Sequence, residues 1–189
     1  MAAGEPLPPE LLRSLHQGGQ AAAERLFELL YDELRHLAGR VRHGRASETL
    51  STTALVHEAY IKLTSSHHID IHGRRHFYRL AARAMRQILV DAARRRTAEK
   101  RGGDPLPVTF DEADHPTPMP SARLVSLDQA IDRLAADDPR AAQVVECRFF
   151  AGLSVDETAT ALEISPRTVK RDWRVARARL AGELTGEDG

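Results

Sequence analysis

One cysteine in 189 residues, Cys147, excludes an internal disulfide and fits a reducing, cytoplasmic setting. Aromatic residues are only 5% of the chain, so its cores must be built mainly from Leu, Ala, Val and Ile. No apolar run approaches the roughly 20 residues of a membrane helix. Met1 to Pro9 holds three prolines and no apolar stretch of the secretory kind. A phosphate-cradling Gly-Lys-Ser/Thr loop is missing, and the first 95 or so residues offer no nucleophile or carboxylate cluster that assembles into a reaction centre. The expectation is a non-enzymatic protein without catalytic residues, cofactor, metal or membrane. Net charge is also lacking: 27 basic residues balance 27 acidic ones.

That balance hides segregation. Arg74 to Arg101 holds ten basic residues against Asp91 and Glu99, and Ser165 to Leu180 holds six against Asp172. Between these blocks, Asp104 to Asp138 carries eight acids against Arg123 and Arg133. Two basic blocks in one chain point to nucleic acid more than the total argues against it.

What is present is helical periodicity. A short helix is expected between Pro8-Pro9-Glu10 and Gly18-Gly19. A longer one follows, with Leu26, Leu30, Leu34, Leu37 and Val41 on one face. A third covers about Thr52 to Ser65, with Leu55, Ala59 and Leu63 in line, and a fourth covers about Gly73 to Arg96. From Thr97 to Ala122 the periodicity stops, and Gly102-Gly103, Pro105, Pro107, Pro116, Pro118 and Pro120 mark a flexible, acidic, Pro-rich linker. Its 26 residues reach at most ~85 Å. Asp138-Pro139 caps a further helix, Ser154 and Glu157 form a capping box, and Ser165-Pro166 opens the last helix. The fold class is therefore all-α: two small helical domains, residues 8–96 and 123–184, joined by a linker at 97–122.

Leu153 to Leu180 reads as helix-turn-helix, with a small Ala159 at the crossing and Val169, Trp173, Ala176 and Leu180 facing inward. The outer face carries Arg167, Lys170, Arg171 and Arg174, where a recognition helix meets base edges and phosphates; a solvated basic helix in a bundle is the blander alternative. In the fourth helix Arg75, Arg79, Arg83 and Arg86 share a side opposite Phe77, Leu80, Ala84 and Ile88, a stripe suited to tracking a phosphate backbone.

Arg83 to Arg96, reading Arg-Ala-Met-Arg-Gln-Ile-Leu-Val-Asp-Ala-Ala-Arg-Arg-Arg, resembles the conserved-region helix of extracytoplasmic-function (ECF) sigma factors. Ala54 to Leu63 resembles the family's polymerase-docking segment, and Pro139 to Leu180, with Arg148-Phe149-Phe150 and Gly152-Leu153-Ser154, its fourth conserved region. The resemblance implies a sigma factor that binds core RNA polymerase, directs it to promoters and helps open them; an anti-sigma factor is a candidate partner. By the same resemblance Leu55, His57, Glu58, Tyr60 and Lys62 would dock on polymerase. His76, Phe77, Tyr78, Arg79, Arg83, Arg86 and Gln87 would handle the −10 element, and Arg167, Thr168, Lys170, Arg171 and Arg174 the −35 element. It also implies that the linker threads the polymerase cleft. Ala54, His57, Leu80 and Gln87 depart from the usual motif residues. The rivals are a polymerase-independent helix-turn-helix regulator and a recombinase or nuclease using the second domain for targeting.

Three weaker signals remain. His68, His72 and His76 are spaced for zinc only if one helix carries them, and Gly73 interrupts it. His57-Glu58 opens a metalloprotease-like pattern, but Ile61 stands where the second His belongs. Cys147 reads as a buried small hydrophobe rather than a redox switch.

Overall fold

The computed structural model describes residues 7–17, 20–43, 51–64, 71–99 and 119–186. Among them all regular structure is helical: α1 (Pro9–His16), α2 (Gln20–His43), α3 (Thr52–Thr64), α4 (Arg74–Glu99), α5 (Ser121–Asp137), α6 (Pro139–Val145), a π-helical turn (Glu146–Phe150), α7 (Val155–Leu162) and α8 (Pro166–Gly186). Local chemistry sets many of these bounds. Pro9 sits at the first position of α1, where its missing N–H costs nothing. Asp138 accepts a hydrogen bond from the Ala141 amide at 3.0 Å, with Pro139 again in the first turn. Ser154 and Glu157 complete a reciprocal capping box at 3.2 and 2.8 Å. Ser165 Oγ accepts from the Thr168 amide at 3.1 Å at the start of α8.

Leu26, Leu30, Leu34 and Leu37 of α2 are buried as their spacing requires; the side chain of Val41 lies outside the described residues. The last turn of α4 runs three residues past Arg96, and α5 begins one residue before the expected linker end. Residues 100–118, with Asp104, Asp111, Glu112 and Asp114, are outside the described part. The π turn was not announced by any residue pattern. It follows α6 directly and ends at Phe150; two residues on, Gly152 with a φ of 64° turns the chain toward α7.

α4 makes contacts in both halves of the chain. It packs against α3 on one side and against α5, the π turn and α7 on another. One hydrophobic cluster runs through both halves, from Leu30, Leu55, Met85 and Leu89 to Leu127, Ile131 and Phe150. A helix surrounded this way is apolar over most of its circumference. Ala81, Ala82, Met85, Leu89 and Val90 are buried along with Phe77, Ala84 and Ile88.

Candidate nucleic-acid interface

The crossing of α7 and α8 is closed by Val144, Ala159 and Val169, with Val155, Leu162, Ile164 and Trp173 packed against them. Between the helices Glu163 adopts the left-handed conformation at φ 57°, which makes the turn tight. The Arg148 guanidinium lies 5.4 Å from the Trp173 ring centroid, a cation–π contact that ties the π turn to α8. With the inner face so occupied, Arg167, Lys170, Arg171 and Arg174 are all exposed on the outer one. Thr168, the fifth member of that set, is half-buried and shares a 2.8 Å hydrogen bond with Ser165 Oγ, so part of its bonding capacity goes into the cap. Two residues beside this face were not among the expected site residues. Val175 is 56% exposed, a large apolar side chain one turn beyond Arg171. Asp172 is buried and accepts from Arg140 Nε at 2.7 Å and from Arg171 Nε at 2.9 Å. Burial works to raise the Asp172 pKa, but the bonds from Arg140 and Arg171 hold it below the usual value.

Two of the four stripe arginines of α4, Arg75 and Arg86, meet carboxylates, while Arg83 stays exposed. Arg86, 9% exposed at its side chain, donates from Nε to Asp128 at 2.8 Å, from Nη1 to Glu146 at 2.8 Å and from Nη2 to Asp132 at 2.6 Å. The Asp128 backbone carbonyl accepts a fourth bond at 2.9 Å. Burial alone would lower the Arg86 pKa; these carboxylates raise it instead. About two turns further along the helix, Arg94 reaches the other oxygen of Asp128 at 2.9 Å. Arg79 donates to the Ala161 carbonyl at 3.3 Å, and Arg75 lies 3.7 Å from Glu163. From α2, Arg40 makes a two-pronged pair with Glu157 at 2.7 and 3.0 Å. Burial pushes the Glu157 carboxyl up, yet Arg40 and the Ser154 cap bring it down to about 2. The stripe that lacks acid partners within its own helix thus finds them 42 to 88 residues away, across the boundary between the halves.

The remaining residues of the −10 set fall into two groups. Arg83 and Gln87 are exposed. Phe77 is 2% exposed and belongs to the core. Tyr78 donates to Glu33 at 2.6 Å, and burial raises its pKa. His76 Nδ1 accepts from the His72 amide at 3.2 Å with the two rings stacked; His68 lies outside the described residues. Among the described residues no three His, Cys, Asp or Glu side chains are grouped to hold a metal ion. Cys147 is buried, and burial pushes its thiol up to about 12.

On α3 the expected docking set is split. Leu55 is 1% exposed and belongs to the core, as its alignment with Ala59 and Leu63 requires, so it is not a surface contact in this structure. His57 and Lys62 are exposed, Glu58 is half-buried, and Tyr60 rests on Phe27 with ring centroids 4.0 Å apart. Lys62 lies 3.9 Å from Asp91. The apolar member of this face is Ile61, 53% exposed, with Leu29 of α2 at 39%.

The family model for the ECF sigma factor matches residues 9–186. The chain belongs to the ECF sigma factors. No curated protein matches it. As a sigma factor it binds core RNA polymerase and promoter DNA and directs transcription initiation. No described helix of this sigma factor is long and apolar enough to cross a membrane.

Proposed function

We propose that this ECF sigma factor contacts the −35 element through α8 and the −10 element through α4, and docks on polymerase through α3, acting in the cytoplasm without catalysing a reaction. The observation that carries this is the four-cation outer face of a capped helix-turn-helix, the arrangement that fits a major groove. Residues 8–96 would form the polymerase-docking and −10 unit, and residues 123–184 the −35 unit, with 97–122 as the tether.

In this reading the described state is a closed one. Arg86, which would hold a promoter strand, is occupied by Asp128, Asp132 and Glu146. Promoter binding would exchange these carboxylates for phosphates, after the two halves separate on polymerase. An anti-sigma partner, which the family implies, would act by favouring the closed form. Carboxylates of α5 and the π turn compete with DNA here.

The test is run-off transcription with purified core polymerase. Wild-type protein is expected to give promoter-specific transcripts, and Ile61→Asp, at an exposed site, to stay folded by circular dichroism while losing co-purification with core enzyme and the transcript. A folded Ile61→Asp protein that binds core normally removes α3 from the docking surface. Transcription-independent binding of a dimer to paired operator half-sites would instead support the plain regulator.

A further inference from the structure

Asp172 is an anomaly on a helix meant to approach phosphates. It is the single acid among six basic residues between Ser165 and Leu180, and a carboxylate there subtracts from the electrostatic attraction that dominates DNA affinity. Its place in α8, beyond the first turn, removes the helix dipole as an explanation. Its side chain is 5% exposed, and each of its oxygens takes a hydrogen bond from a different arginine: Arg140 from α6 and Arg171 from α8. Both arginines are held by Nε, while their side chains remain 47% and 58% exposed. A guanidinium gripped at Nε keeps its two terminal NH2 groups, the edge that pairs with two acceptors at once, out of that contact.

We infer that Asp172 is a positioning residue of the −35 readout, fixing the guanidinium of Arg171 toward a guanine edge and that of Arg140 toward a neighbouring phosphate. The inference rests on α8 being the −35 reader. An arginine already fixed in direction loses less freedom when it binds, so orientation becomes affinity for one base pair. Arg140 adds a phosphate contact from outside the recognition helix. The alternative is that Asp172 only staples α6 to α8, which would affect every contact of α8 together.

The experiment uses full-length protein in reconstituted holoenzyme, with binding measured across −35 elements changed one base pair at a time. Arg171→Ala should lower preference at one base pair by about tenfold, the loss of a bidentate guanine contact. Asp172→Asn should lower preference at that same base pair by roughly three- to tenfold and leave the others unchanged. The double variant should lose no more there than Arg171→Ala alone, since Asp172 acts through Arg171. Arg140→Ala should weaken all variants alike and flatten the salt dependence. A uniform loss in Asp172→Asn, or a loss that adds to that of Arg171→Ala, overturns the positioning role. If Arg171→Ala changes no base preference, the reading of this part of α8 fails as well, and that outcome is visible before Asp172 is considered. Should Asp172→Asn fail to fold, hydrogen exchange of arginine side chains in the wild-type free protein decides. The Arg171 Nε–H should exchange about tenfold more slowly than that of exposed Arg174; equal rates overturn the proposal.

Discussion

The two basic helices of this sigma factor are alike in sequence and opposite in circumstance. Both α4 and α8 carry arginines at helical spacing, and both look like nucleic-acid faces when read alone. On α8 four of the cations stand in solvent, because Trp173, Val169 and Ala176 fill the inner side and the carboxylate nearest to them, Asp172, is itself buried and shared. On α4 three of the four stripe arginines are engaged by the C-terminal half. Charge periodicity identifies a surface that wants an anion; the rest of the chain decides whether the anion is DNA or a carboxylate of its own. A net charge of zero is here the signature of internal complementarity, with the acidic block of α5 lying on the basic block of α4.

The largest effect that sharpens this contrast is on stability. Arg86→Ala leaves half-buried Glu146 without its cation and buried Asp128 with Arg94 alone, and should cost about 3 kcal/mol. Arg174→Ala, on the open face, should stay within about 0.5 kcal/mol of wild type. Urea unfolding of the two variants is the measurement, and equal costs would dissolve the distinction between an engaged face and an open one.

The engaged face also marks where sequence reading stops. The helix starts at Pro139, Val155 and Pro166 were legible because Asp138, Ser154 with Glu157, and Ser165 act on amides three residues away. The outer face of α8 was legible because its inner residues are periodic and local. Arg86 was not, since its partners are 42 to 60 residues distant and reached only by packing. On the helical wheel it shares a side with Arg83, yet Arg83 is exposed and Arg86 buried. Leu55 carries the converse lesson. Its alignment with Ala59 and Leu63 marked it as core, while the family resemblance placed it on the docking surface; the periodicity agrees with the 1% exposure. Ile61, which breaks no pattern, is an exposed apolar residue of the same helix. Asp172 was visible as a lone acid, but two bonds to arginines on two helices required the fold.

A smaller effect concerns pH. Arg40 and Glu157 join α2 to α7, and the Glu157 carboxyl is brought from 4.5 to about 2. A lowered folded pKa means that this pair contributes above 4.5 and is lost as the pH falls toward about 2. Glu157→Gln should therefore flatten the acid limb of the stability curve across that interval and change little near neutrality in its slope. Denaturation midpoints taken at intervals of pH supply the check; an acid limb unchanged by the substitution would remove the Arg40 pair from the contact between the halves.

The central claim is that the free chain is closed across α4 and opens on polymerase. His36→Cys on α2 and Thr160→Cys on α7 place labels on exposed positions near the Arg40–Glu157 pair, while native Cys147 is buried and its thiol suppressed. Distances between the two labels should be measured by pulsed electron spin resonance in the free protein and in holoenzyme on a promoter. The account predicts one short, narrow distribution in the free protein, replaced by a clearly longer one in the promoter complex. It also predicts that Asp128→Asn with Glu146→Gln broadens the distribution of the free chain toward the long distance. A short distance that persists unchanged in the promoter complex would contradict it, as would a free protein already at the long distance.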